Sequence, residues 1–337
     1  MNVCSSKDLT MPSTSPSFVS CNPEPDPEAA RSLLIDELQR GLMAPAAQVS
    51  PKFFYDTLGS LLFSVITELP EYYPTRTEAK ILAERGDEIA ARVRRELRAG
   101  FALVDLGAGD GAKASRLFSA LKPGRYVAID ISQEFLRQSL AALQDRFPAI
   151  RMLGVGLDFS QRLELPPGLL TGPALVFYPG SSIGNFAPPE ALRLLREAHR
   201  LCNGGALLIG ADLIKPAAVL QAAYDDALGV TAAFNLNLLR HVNGVLGSDF
   251  DVLQWQHVAL FNEAESRVEM HLQARQDTTA TWPGGQRRFA AGERIHTENS
   301  AKWTPSSFEA LLRDAGWRDV QGWTDEQGWF GVFLARG

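Results

Sequence analysis

Between residues 101 and 213 the chain alternates short apolar runs with longer amphipathic ones. FALVDLG is followed by ASRLFSALK, YVAIDIS by EFLRQSLAALQDRF and ALVFYPG by PPEALRLLREAHRL, with IRMLGVGLDF and ALLIGADL completing the series. Runs this short and rich in Val, Ile and Leu read as buried strands, and the segments between them as helices. Strands joined through helices pair in parallel, and a parallel sheet is covered on both faces. The pattern predicts a doubly wound α/β fold.

The flanks break this rhythm. Residues 1–28 are rich in Ser, Pro, Asn and Thr and are expected to be a disordered tail. EAARSLLIDELQRGL and YDTLGSLLFSVITEL carry apolar residues at three- and four-residue intervals, predicting a helical cap, and a charged amphipathic helix is expected over 77–98. After residue 215 comes another helical stretch, LQAAYDDALGVTAAFNLNLLRHVN, and then SRVEMHLQARQ and RRFAAGERIHTEN, which alternate in part. GWRDVQGWTDEQGWFGVFLAR supplies last strands for the main sheet. The expected division is a cap and nucleotide-binding core over 29–215, a smaller α+β substrate-binding region over 216–310, and a return to the core sheet over 311–337.

Charge and cysteine usage remove whole classes of function. A net charge of -6 does not suit phosphate-backbone binding, so nucleic acid is not an expected partner. No stretch approaches the ~20 consecutive apolar residues of a membrane span, and MNVCSSKDLTMPSTSPSFVS has neither the basic start nor the apolar run of a secretory signal. The chain therefore reads as cytoplasmic and free of membrane. Cys4, Cys21 and Cys202 show no CxxC spacing, and His199, His241, His257, His271 and His296 include no i, i+4 pair. No metal is expected.

The strongest local signal is FALVDLGAGDGAKASRLF, a strand entering a glycine turn that opens a helix. Gly107, Gly109 and Gly111 allow positive φ angles and a close approach of ligand to backbone, which implies a nucleotide site. GAGDGA satisfies the loose dinucleotide pattern, with Asp130 at the distance expected of a ribose-binding acid, so an NAD-dependent oxidoreductase stays in view. S-adenosylmethionine is favoured by Asp105, two residues before the first glycine, and by Asp130 and the Asp158–Phe159 pair at the next strand ends. Phe159 is placed to stack on an adenine.

PKFFYDTLGSLLFSVITELPEYYPTRTEAKIL, LVDLGAGDGAKASRLF, FYPGSSIGNF, AYDDALGVTAAFNLNLLRHVN, VEMHLQAR and FAAGERIHTENSAKW together resemble the histidine Nα-methyltransferases of ergothioneine biosynthesis. The resemblance runs from about residue 30 to the C-terminus. It implies a class I methyltransferase fold, S-adenosylmethionine as cofactor, and trimethylation of the L-histidine α-amine to hercynine. It also implies cofactor contacts at Tyr55, Gly107, Lys113, Asp130, Asp158 and Phe159, to which the glycine turn adds Gly109. Histidine contacts are implied at Tyr72, Asn185, Tyr224, Met270, Glu298 and Ser300, with Tyr72 and Asn185 nearest the chemistry. A monomer is expected, as is a separate pathway enzyme for sulfur insertion.

These residue types suit the reaction. Methyl transfer to an amine is an in-line displacement that needs alignment and removal of water more than a strong base. Asn185 and Tyr224 are neutral donors for the amino-acid head, while Glu298 can accept an imidazole N–H and Ser300 can reach the same ring. In LPEYYPTRTEAKIL, Pro70 and Pro74 stiffen a segment that presents Tyr72 to substrate, with Tyr73 as its packing partner. Two other readings stand beside this one: a same-family enzyme acting on another amino acid or a thiol-substituted histidine, and a non-catalytic binding module.

Overall fold

The computed structural model describes residues 15–20 and 27–337. An eight-stranded sheet runs in the order Ser17–Ser20, Arg151–Gly156, Arg125–Asp130, Ala102–Leu106, Ala174–Tyr178, Ala206–Asp212, Phe330–Arg336, Arg318–Thr324. The first six are mutually parallel, and the last two form an antiparallel hairpin on that edge. This is the expected doubly wound sheet, with the C-terminal return in place. Period-two alternation divides its apolar residues. Leu103, Tyr126, Leu175 and Phe177 join one core with the helix Tyr73–Glu96, while Val104, Val127, Ile129 and Val176 join another with Pro188–Leu201 and Pro305–Asp314.

Two expectations need correcting. Within the predicted tail, Ser17–Ser20 is an edge strand parallel to Arg151–Gly156. A Cβ added at Gly154 would come within 2.4 Å of the Phe18 ring, so the missing side chain makes the seat for Phe18, and Arg137 lies 4.7 Å over the same ring. Residues 1–14 and 21–26 lie outside the described residues. The helical cap also divides differently. Leu38, Leu42, Phe53, Phe54, Ile66 and Tyr73 share one core with Leu220, Phe234, Leu238, Trp255, Met270 and Ile295. The cap thus packs on the later region, whose three-stranded antiparallel sheet orders Arg294–Ala301, Arg267–Ala274, Trp255–Asn262, rather than belonging with the nucleotide core. Among the described residues no helix is long and apolar enough to cross a membrane, and no group of metal-ligating side chains is assembled.

Candidate active site

The carboxyl ends of the parallel strands carry the first half of the site. Gly107, Gly109 and Gly111 have φ of 70°, 55° and 68°, a run of left-handed residues that only glycine adopts without strain. The Asp130 carboxylate bridges this turn to its own strand end by accepting from the backbone N–H of Gly109 and of Ser132, each at 2.9 Å. Burial pushes its pKa up against those two bonds. A Cβ at Gly109 would meet nothing within 4 Å and one at Gly107 only the Phe159 ring at 3.8 Å, so the backbone stands open to a ligand with Phe159 as a wall. Phe159 is held edge-on by Tyr178 at 5.8 Å, and Asp158 lies 3.8 Å from the Lys52 ammonium. An adenosyl group with a charged amino-acid tail fits this donor set. Asp105 is buried behind the turn: it is 1% exposed, accepts from the Tyr126 hydroxyl at 2.7 Å, and burial raises it to about 7.

Lys113 leads across to the second half. Its ammonium contacts Glu78 Oε2 at 2.8 Å, while Glu78 Oε1 accepts from the Gly180 N–H at 2.7 Å. Glu78 stands on the same helix that Tyr72 caps, so one buried carboxylate joins the glycine turn, the loop after Ala174–Tyr178 and the tyrosine segment. Arg76 fixes that segment by donating to Leu69 O at 2.8 Å, to Tyr72 O at 3.1 Å and to Pro70 O. The stiffness expected of the two prolines is thus shared with a guanidinium staple.

Tyr55, Tyr72, Asn185, Tyr224, Glu298 and Ser300 line one cleft, together with Phe63, Pro74, Gly180 to Ser182 and Asp212. Asn185 closes the 3-10 turn Ser182–Asn185, and the next helix takes Ala187 as its N-cap, so Asn185 is not spent on capping. Gly184 makes the approach possible: a Cβ there would sit 3.0 Å from Ala301 N and 3.1 Å from Ala301 O, against the strand that carries Glu298 and Ser300. Burial raises Glu298 to about 7 against the pull of Lys302, and raises the Tyr72 and Tyr224 hydroxyls. Met270 is not on the wall. It pairs across the ladder with Glu298 but is 2% exposed, inside the cap core.

At the wall of the cleft, centred on Asp212, lies a buried charge cluster with no counterpart among the expected site residues. Asp212 Oδ1 accepts from Lys215 at 2.6 Å and Oδ2 from Lys302 at 2.8 Å, all three side chains being at most 1% exposed. The Tyr73 hydroxyl lies 2.7 Å from Asp212 Oδ2 and accepts from Lys215 at 2.7 Å. Burial alone would raise Asp212, yet the two ammonium groups hold it below its usual value; burial lowers Lys215 to about 8. Tyr73 is therefore a polar anchor as well as a packing residue. A signal existed in the sequence: Asp212 and Lys215 sit three apart where ALLIGADLIK leaves the sheet, and Lys302 follows Ser300 by two, on the same side of an extended strand.

A sequence profile for the family described as "Histidine-specific methyltransferase, SAM-dependent" matches residues 34–337. The chain belongs to this family. It is 42% identical to the histidine N-alpha-methyltransferase of Mycolicibacterium smegmatis over 91% of this chain and 96% of that one. Identity to the protein of the same name from Mycobacterium tuberculosis is 41%, over 91% of this chain and 96% of that one. A third relative, ergothioneine biosynthesis protein 1 of Neurospora crassa, is 30% identical over 81% of this chain but only 31% of its own length. Membership makes S-adenosylmethionine the cofactor, which the open glycine turn, Asp130 and the Asp158–Phe159 wall accommodate, and it removes the nicotinamide reading that the glycine pattern had left standing.

Proposed function

We propose that the protein is an S-adenosylmethionine-dependent N-methyltransferase that converts L-histidine to Nα,Nα,Nα-trimethylhistidine, hercynine, in ergothioneine biosynthesis. The observation carrying this reading is that side chains as far apart as Tyr72, Asn185, Tyr224, Glu298 and Ser300 converge on one cleft, whose Gly180 is tied through Glu78 to Lys113 just after the glycine turn. The names of the two bacterial relatives and of the fungal one support the substrate and the pathway.

Gly107, Gly109, Lys113, Asp130, Asp158, Phe159 and Tyr55 are the residues that would hold the cofactor, which supplies an electrophilic methyl group when bound. The chain's own work is placement. Tyr72 and Asn185 flank the α-amine, which must be neutral to attack the methyl carbon. Glu298 accepts an imidazole N–H, and an amino acid without that N–H leaves a desolvated carboxylate unpaired. The same reading has the protein act as a cytoplasmic monomer, ahead of a separate enzyme that inserts sulfur. Purified protein incubated with S-adenosylmethionine and L-histidine is expected to yield histidine carrying added methyl groups by mass spectrometry, ending in the trimethylated betaine. Intact cofactor binding with unmodified histidine would discard the substrate.

A further inference from the structure

Hydrogen-bond accounting around Ser300 leads beyond the list of cleft residues. Lys302 has three ammonium hydrogens and three acceptors: Asp212 Oδ2 at 2.8 Å, Tyr224 Oη at 3.0 Å and Ser300 Oγ at 2.7 Å. Tyr224 spends its own hydrogen on Ser300 Oγ at 2.7 Å. Ser300 Oγ thus receives two donors, which fill its two lone pairs. Only its O–H is left to offer, and Ser300 lines the cleft. Ser300 and Tyr224 are 5% and 8% exposed, so water does little to scramble this arrangement.

We propose that Lys302, oriented by Asp212, is a specificity-determining positioning residue that locks Ser300 as a hydrogen-bond donor facing the substrate. The inference rests on the reading of the cleft as a histidine site. Beside Glu298, which only accepts when ionised, a locked donor requires a ring with one N–H and one bare nitrogen. That is the neutral imidazole in a single tautomer. The accounting also changes the expected part of Tyr224: with its hydrogen committed to Ser300, it cannot also donate to the substrate carboxylate, and that task falls to other groups on the cleft.

Isosteric ligands test this without relying on any variant. β-(4-Thiazolyl)-L-alanine and β-(5-thiazolyl)-L-alanine each keep an acceptor nitrogen at one imidazole position and no ring N–H; β-thienyl-L-alanine keeps neither. Affinities would be measured by calorimetry with saturating S-adenosylhomocysteine at pH 8, above the value of about 7 to which Glu298 is raised. One thiazolyl isomer is expected to bind about tenfold tighter than the thienyl analogue, because the latter leaves the locked donor unpaired. In Ser300→Ala and Lys302→Met that ratio should fall towards one while S-adenosylhomocysteine affinity is kept. Equal binding of all three analogues by a wild-type protein that still binds histidine overturns the locked donor and spares the proposed function. A wild-type protein that binds S-adenosylhomocysteine but not histidine overturns both. Should Lys302→Met lose S-adenosylhomocysteine binding through misfolding, the wild-type ratio and Ser300→Ala decide. A ratio unchanged in folded Lys302→Met removes Lys302 from the assignment.

Discussion

Replacing Asp212 by Asn keeps shape and volume and removes one charge from the cluster at the cleft wall. Asp212 faces two ammonium groups at 2.6 and 2.8 Å, and none of the three side chains is more than 1% exposed. Removing one partner of a buried ion pair costs about 3–5 kcal/mol, since the remaining charge stays desolvated. Here two cations remain, and Lys215, already lowered to about 8 by burial, is the one that sheds its proton. Loss of the carboxylate takes away what holds Lys215 up, so its folded pKa falls further below the unfolded value. A lysine with a lowered folded pKa costs stability fully below that pKa, and the cost fades as pH rises towards the unfolded value. The gap between wild type and variant should therefore be wide at pH 6 and narrow by pH 9, by about 1.4 kcal/mol for each unit that Lys215 drops. Urea unfolding at both pH values reads this directly. A variant within about 1 kcal/mol of wild type at pH 6, or a gap that widens with pH, would refute the assignment of a tightly coupled cluster.

Other substitutions separate the roles of neighbouring groups. Tyr73→Phe removes the hydroxyl between Lys215 and Asp212 and should cost about 1–3 kcal/mol of stability; Tyr72→Phe, at the cleft wall, should leave stability within about 0.5 kcal/mol and lower kcat/KM instead. If denaturation and steady-state kinetics give the reverse, the two tyrosines have been exchanged. Glu298→Ala is expected to weaken histidine binding far more than S-adenosylhomocysteine binding, and equal losses in calorimetry would sink its role. Wild-type histidine affinity should fall as pH drops below about 7, where Glu298 protonates, and more steeply below about 6.5 as free imidazole protonates. Lys302, Tyr55, Tyr72 and Tyr224 surround Glu298, and burial keeps the Tyr72 and Tyr224 hydroxyls neutral in that range, so Glu298→Gln should erase the step near 7. Glu78→Gln frees Lys113 and should weaken S-adenosylhomocysteine about three- to tenfold, the partial exposure of Lys113 limiting the effect; unchanged affinity would show that the pair does not present Lys113 to the cofactor.

The sequence by itself determined the parallel sheet, the glycine turn and the strand-end acids, because each depends on local chemistry: apolar runs of a set length, positive φ, a carboxylate at or just past the end of a strand. Family-specific stretches named most of the cleft in advance, down to Tyr72, Asn185, Glu298 and Ser300. What it could not supply were partnerships between segments far apart in the chain. Glu78 with Lys113, Asp212 with Lys302, and Tyr73 with both Lys215 and Asp212 are charge and hydrogen-bond pairings that exist only once burial has removed water from them. Phe18 likewise finds its seat only because Gly154 lies on the neighbouring strand, and Met270 is withdrawn from the cleft only because the cap closes over it. Spacing along the chain fixes which groups share a face; desolvation, set by the packing of the cap against the sheet, decides which of them hold a charge, give a hydrogen or meet the substrate.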